Sequence, residues 1–134
     1  MNLVDSSGWI EFFVDGPNAR AFEGPINRTE ALLVPTIALH EVYKYVLRER
    51  NRESALQVVA NMRQGKVVDL NETIAIEAAE LGATHGLPLA DSIIYATAAA
   101  FEATLWTQDS DFEGFEGVKY QPSPNAPLGG ATVE

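Results

Sequence analysis

Short apolar runs rich in β-branched residues alternate with stretches of helical periodicity from one end of the chain to the other, the pattern of a parallel sheet covered by helices. The runs predict strands at 2–5, 31–34, 66–70, 104–107 and 118–120. Between them, apolar positions three and four residues apart predict helices from about Ser7 to Val14, near 18–28, from Pro35-Thr36 to about Arg50, over 53–64, from Glu72 to about His85 and from Ala90 to Ala103. A further short turn of helix is predicted near 109–115. Gly65 and Gly86-Leu87-Pro88 read as stops, and Thr36 and Asn71 as caps. No repeat or linker divides the pattern, so one domain is expected over 1–121, with a mobile tail rich in Pro, Gly and Ala over 122–134.

At 134 residues the chain is of a size to bury a core without staples. It has no cysteine, which excludes disulfides, thiolate metal sites and thiol nucleophiles. The first residues carry neither a basic segment nor a long apolar core, and Asp91 and Glu102 interrupt the most apolar stretch, Leu87 to Trp106. A soluble, cytoplasmic protein is the expectation. The net charge of −10 argues against a non-specific nucleic-acid coat. Yet six of the nine basic residues, Lys44, Arg48, Arg50, Arg52, Arg63 and Lys66, fall in one short region. That region reads either as the solvated faces of two helices or as a local strip, with Lys44, Arg48 and Arg52 its candidate nucleic-acid contacts.

Four acids stand where such a fold gathers its chemistry. Asp5 and Asp109 follow probable strands, and Glu41 and Asp91 lie on helices. Ligands of open α/β sheets collect beyond the carboxyl ends of the strands. Carboxylates crowded together raise one another's pKa unless a cation shares the site, and Mg²⁺, with Mn²⁺ as a substitute, suits an all-oxygen donor set. Each aspartate also has a purely structural role open to it, as a cap or first-turn residue. Glu41 resists that reading, because its neighbours at helical spacing are Ile37, Ala38 and Tyr45. A buried, unpaired glutamate would demand a partner. Asp111 is expected to be at most auxiliary, since two helical steps would turn it about 200° from Asp109. Ser6 and Thr107 are near enough to orient a carboxylate by hydrogen bonding.

Other motifs fail. His40-Glu41-Val42-Tyr43-Lys44 begins like a zinc-protease helix but has Lys44 where the second histidine must stand. His85 reads as a helix-end residue, and neither a Walker loop nor a dinucleotide glycine fingerprint is present.

Leu3-Val4-Asp5-Ser6-Ser7, Pro35-Thr36-Ile37-Ala38-Leu39-His40-Glu41, the segment Leu87 to Ala98 around Asp91, and Leu105-Trp106-Thr107-Gln108-Asp109-Ser110-Asp111-Phe112 occur in this order across nearly the whole chain. Together they resemble the PIN domain, and within it the VapC-type toxins of bacterial toxin–antitoxin systems. The resemblance implies a three-layer α/β/α sandwich with a mainly parallel sheet of about five strands. It further implies a metal-dependent endoribonuclease, usually a homodimer, silenced by a VapB-like antitoxin whose tail covers the acidic pocket. Cleavage would leave a 5′-phosphate and a 3′-hydroxyl. Two other readings stay open: a PIN-fold binding module acting with a DNA-binding antitoxin, and a phosphoacceptor regulatory domain, for which Lys119 would be the stand-in for the phosphoryl-contacting lysine although it lies within its strand rather than after it.

Overall fold

A computed structural model describes residues 1–124 of the chain. Its elements run β1 (Asn2–Val4), α1 (Ser6–Phe13), α2 (Ala19–Asn27), β2 (Leu32–Pro35), α3 (Thr36–Glu49), α4 (Arg52–Met62), β3 (Lys66–Val68), α5 (Glu72–His85), α6 (Leu89–Ala100), β4 (Thr104–Thr107) and β5 (Val118–Tyr120). One-turn 3₁₀ segments precede β2 at Thr29–Ala31 and follow β4 at Ser110–Phe112. The five strands form one sheet in the order β3-β2-β1-β4-β5, and every pairing is parallel.

Strand alternation sorts the core into two layers. Leu3, Leu33 and Leu105 point to the face packed by Ile74 and Ala78 of α5 and Ile93, Ile94 and Ala96 of α6. Val4, Leu32 and Val34 point to the other, with Trp9 of α1, Phe22 and Ile26 of α2, Ala38, Val42 and Val46 of α3 and Ala55 and Met62 of α4. Because both faces are covered, β2 is buried along its whole length, and its sequence Leu-Leu-Val-Pro is a continuous apolar run. The result is the expected three-layer sandwich.

Thr36, expected as a cap, is the first residue of α3 behind Pro35, and β3 stops at Val68, two residues short of expectation; at β1, α6 and the turn after β4 the differences come with the way the chain closes the element. β1 ends at Val4, one residue early, because Asp5 leaves the strand to become the N-cap of α1 and accepts the Gly8 amide at 3.1 Å. α6 begins at Leu89 and ends at Ala100, three residues short of the expected end, where Phe101 closes it and Glu102 takes a positive φ of 51°. The turn after β4 is 3₁₀ and one turn long, with Asp109 as its cap.

The strand order places the reversal of direction between β1 and β4, which are direct neighbours. A crevice opens at such a point beyond the carboxyl ends of the strands. Asp5 leaves one of these two ends and Asp109 follows the other. Gln121, the last residue of the expected domain, donates its amide to the Thr107 carbonyl at 2.8 Å, and of the segment expected to form a tail the Pro122 carbonyl accepts from Asn18 Nδ2 at 2.9 Å. The rest of that expectation, over 125–134, lies outside the described residues. Among the described residues, no helix is long and apolar enough to cross a membrane.

Candidate metal centre at the carboxyl end of the sheet

Asp5 forms the floor of the crevice and is 2% exposed. Its position follows from the tight turn out of β1. Gly8 allows that turn, because a Cβ there would meet Val4 Cγ1 and Phe22 Cδ1 at 2.7 Å. Asp5 Oδ1 accepts from the Ser7 hydroxyl at 2.7 Å and from the Gly8 amide at 3.1 Å. Oδ2 accepts from the buried Thr107 hydroxyl at 2.6 Å. A carboxylate has about four acceptor positions. Three are taken, which leaves one on Oδ2 for a ligand. Burial, only partly offset by these donors, pushes the Asp5 carboxyl up to about 6.

Thr107 couples the two strand ends, since its oxygen also accepts the Asp109 amide at 2.9 Å. Asp109 thereby holds a fixed place beside Asp91 and Asp111, and one carboxylate oxygen from each of these three lies within 4.8 Å of the other two. The Asp91 carboxyl is pushed up to about 8, by burial first, then by the Asp109 carboxylate, and further by Asp5 and Asp111. Four acids thus compete for one region with no basic side chain among the causes, the electrostatic signature of a site that a cation would relieve.

Glu41 approaches from α3 on the opposite wall. It is half-buried, and the Ser6 hydroxyl donates to its Oε1. The expectation of a buried glutamate without a partner is therefore corrected: its helix face looks into a crevice, not into the core, so solvent and Ser6 reach it. A cavity of about 590 Å³ joins these parts, lined by Asp5, Ser6, Ser7, Glu41, Asp91 and Asp109, with Ile10, Ile37, Leu89 and Ile94 as its apolar walls.

The structure brings Asp5, Glu41, Asp91 and Asp109 around this one cavity. The geometric reason for setting Asp111 aside does not hold. Asp109 is an extended cap residue, and its Oδ1 accepts the Asp111 amide at 2.9 Å. A helical-wheel angle does not apply across such a cap, and the two side chains converge. Ser6 and Thr107 each touch an acid as expected, but on different ones. Ser7 escaped the sequence reading although it bonds Asp5 directly and accepts the Gln108 amide at 3.2 Å. The adjacent Ser6-Ser7 pair held the signal, since both follow the N-cap. Lys44 and Arg48 line the cavity, whereas Arg52 opens α4 away from it. Lys119 lies on the edge strand β5 with its ammonium 5.5 Å from the Trp106 ring, not at the crevice.

An all-oxygen donor set of this kind, with one side chain pinned by three hydrogen bonds and two others held by a shared cap, fits a hard divalent cation. The fold and site define a parallel α/β protein with an acid-lined crevice at its topological switch point. The chain belongs to the PIN-domain family, whose model matches residues 3–117. It is similar in structure to a toxin–antitoxin complex from Klebsiella pneumoniae, with a TM-score of 0.75 and 22% identity over 89% of this chain and 96% of that one. It is similar also to VapC20 of Mycobacterium tuberculosis, described as a toxin cleaving the sarcin-ricin loop, with a TM-score of 0.71 and 14% identity over 87% and 95% of the two chains. A third likeness is to DNA-bound VapBC of Salmonella typhimurium, with a TM-score of 0.68 and 18% identity over 91% and 98%. No curated protein matches the chain by sequence.

Proposed function

We propose that this chain is a divalent-metal-dependent endoribonuclease and the toxin of a toxin–antitoxin pair. The observation that carries the reading is the convergence of acids from β1–α1, α3, α6 and the β4 turn on one cavity at the switch point. Asp5, Glu41, Asp91 and Asp109 are assigned as the residues that would hold Mg²⁺ or Mn²⁺, with Asp111 auxiliary. When bound, such an ion supplies Lewis acidity toward water and the phosphoryl oxygens.

The chain's own residues do the rest. Thr107 and Ser7 fix both oxygens of Asp5, so one acceptor position faces the cavity without rotational freedom. Ser6 orients Glu41 across from it. Hydrolysis joins a water oxygen to phosphorus and releases the 3′-oxygen, so these walls must neutralise charge on one side and leave an open approach on the other.

The similarity to the Klebsiella complex and to VapBC of Salmonella supports a small antitoxin as partner. An arginine or lysine of that partner would be drawn into the acidic pocket, where its charge stands in for that of the cation. A homodimer is part of the same reading.

Two alternatives weaken. A phosphoacceptor domain with the strand order 2-1-3-4-5 disagrees with the order β3-β2-β1-β4-β5 found here, and Lys119, its candidate late-strand lysine, stands over Trp106 and not at the crevice. A PIN fold used purely for binding leaves the complete acid set without a role.

The test is cleavage by the purified, partner-free chain on structured and unstructured RNAs with Mg²⁺ or Mn²⁺. Activity is expected to vanish in EDTA and return on adding back the ion. Cleavage that persists in EDTA would overturn the metal dependence. A chain that is harmless when expressed alone and never co-purifies with the product of an adjacent small gene would overturn the toxin assignment.

A further inference from the structure

Gln108 separates Thr107, which holds Asp5, from Asp109, and its backbone amide donates to Ser7 Oγ at 3.2 Å. Its side chain does not line the acid cavity. Oε1 of Gln108 accepts from Asn18 Nδ2 at 3.0 Å, and Nε2 donates to Glu11 Oε1 at 3.3 Å. The other oxygen of Glu11 accepts the Asn18 backbone amide at 2.7 Å, which closes a ring of hydrogen bonds through Glu11, Gln108 and Asn18. Asn18 Nδ2 donates also to the Pro122 carbonyl at 2.9 Å, so both of its protons are used.

Local structure does not account for this ring. Asn18 stands at the N-cap of α2, a place where asparagine is favoured for its capping bond, yet its buried side chain makes none and turns to Gln108 and Pro122. Glu11 has no basic partner among the described residues, so it adds no ion pair to stability. The turn leaves room for it, since a Cβ on Gly16 would come within 2.4 Å of the Glu11 carboxyl. A carboxylate only accepts, and that gives the ring a single polarity: Gln108 must present its amide protons to Glu11 and its oxygen to Asn18. A side chain held at both atoms cannot flip, and position 108 is fixed with it.

Resting on the metal-dependent nuclease reading, we propose that Glu11, Asn18 and Gln108 are positioning residues of the acid site. None of the three lines the cavity. They act through the backbone at 108, which Ser7 grips from the crevice side and the ring grips from behind, and so hold the turn that carries Asp109 and Asp111 at its place relative to Asp5. Pro122 closes the ring on its outer side, which makes the chain just beyond β5 part of the support of the site.

The experiment measures Mn²⁺ affinity of the full, partner-free chain at pH 8 from the loss of the free-ion electron paramagnetic resonance signal, beside thermal melts in EDTA. The variants are isosteric: Glu11→Gln, Gln108→Glu, Asn18→Asp and the swap Glu11→Gln with Gln108→Glu. Glu11→Gln sets two donors against each other, whereas Gln108→Glu and Asn18→Asp set acceptor against acceptor. Each should weaken Mn²⁺ binding by about tenfold, the lower end of what support of metal ligands is worth. Charge alone would tighten Mn²⁺ in Gln108→Glu and Asn18→Asp, so weakening there separates positioning from long-range attraction. The swap restores a donor opposite an acceptor at every bond of the ring and should return the affinity to near that of the parent. If the single variants melt lower but bind Mn²⁺ as the parent does, or if the swap binds no better than the single variants, the positioning role is overturned and the nuclease reading stands. If the unmutated chain neither binds Mn²⁺ nor cleaves RNA with it, both are overturned.

Discussion

The floor of the crevice and its α3 rim are built on opposite terms. On the floor, Asp5 is buried with both oxygens hydrogen-bonded, and Thr107 ties it to the turn that carries Asp109 and Asp111. On the rim, Lys44 and Arg48 are exposed and held by little beyond a neighbouring ring and carboxylate. The floor is pinned by hydrogen bonds and electrostatically unfavourable, whereas the rim side chains are exposed and weakly partnered. Changes to the floor should therefore move chemistry and stability together, and changes to the rim should move substrate affinity alone.

The largest effect expected is on the floor. Replacing Asp5, Glu41, Asp91 or Asp109 by its amide should cut cleavage by more than about a hundredfold, since even residues that merely support metal ligands are worth roughly 10- to 100-fold. Asp91→Asn should at the same time raise the thermal midpoint of the metal-free protein, because the amide needs no proton to sit half-buried beside three other acids. Retained activity in any of the four, measured with saturating Mn²⁺, would remove that residue from the site.

Next is Thr107→Val, which keeps the shape but leaves Asp5 Oδ2 and the Asp109 amide each without a donor or acceptor. Cleavage should fall roughly 10- to 100-fold, and stability by about 1–3 kcal/mol for the buried groups left unpaired. A variant that loses stability but keeps full activity would show that Thr107 braces the fold and does not position the acids.

Asp111→Asn should have a smaller effect, on the order of tenfold in rate. Its oxygen lies with those of Asp91 and Asp109, but it is exposed and carries no bond to Asp5. A loss as large as that of Asp109→Asn would make it a full ligand.

The last effect is on stability against pH and leaves the substrate aside. The carboxyls of Asp5 and Asp91 are raised from 3.8 to about 6 and about 8 in the folded chain. Between those values the folded state binds more protons than the unfolded one, so metal-free stability should fall as pH rises from about 4 through 8. Thermal melts with EDTA should show this decline, and Mg²⁺ or Mn²⁺ should stabilise most at the alkaline end. A metal-free chain more stable at pH 8 than at pH 5 would mean that the acids are neutralised from within.

Much of this was legible in order along the chain. Apolar runs that alternate with helical periods establish a parallel sheet with both faces covered, because only buried strands tolerate continuous Leu-Leu-Val. Asp5 and Asp109 could be placed at strand ends, since strand direction in a parallel sheet puts every carboxyl end on one side. The likeness of the four acidic segments to the PIN domain also lay in the sequence, and the family match confirms it. What required the tertiary structure was everything that depends on side chains meeting across elements. Periodicity shows that Glu41 shares a face with apolar neighbours, but only packing decides whether that face meets the core or a crevice. A helical rule gives Asp111 at most an auxiliary place, and a residue that follows a cap does not obey that rule. Ser7 was passed over because its partners, Thr107 and Gln108, are about a hundred positions distant. Local propensity is written in adjacent residues, and a sequence can be read for it. The fourfold crowding of carboxylates exists only because β1 and β4, remote in the chain, become neighbours in the sheet.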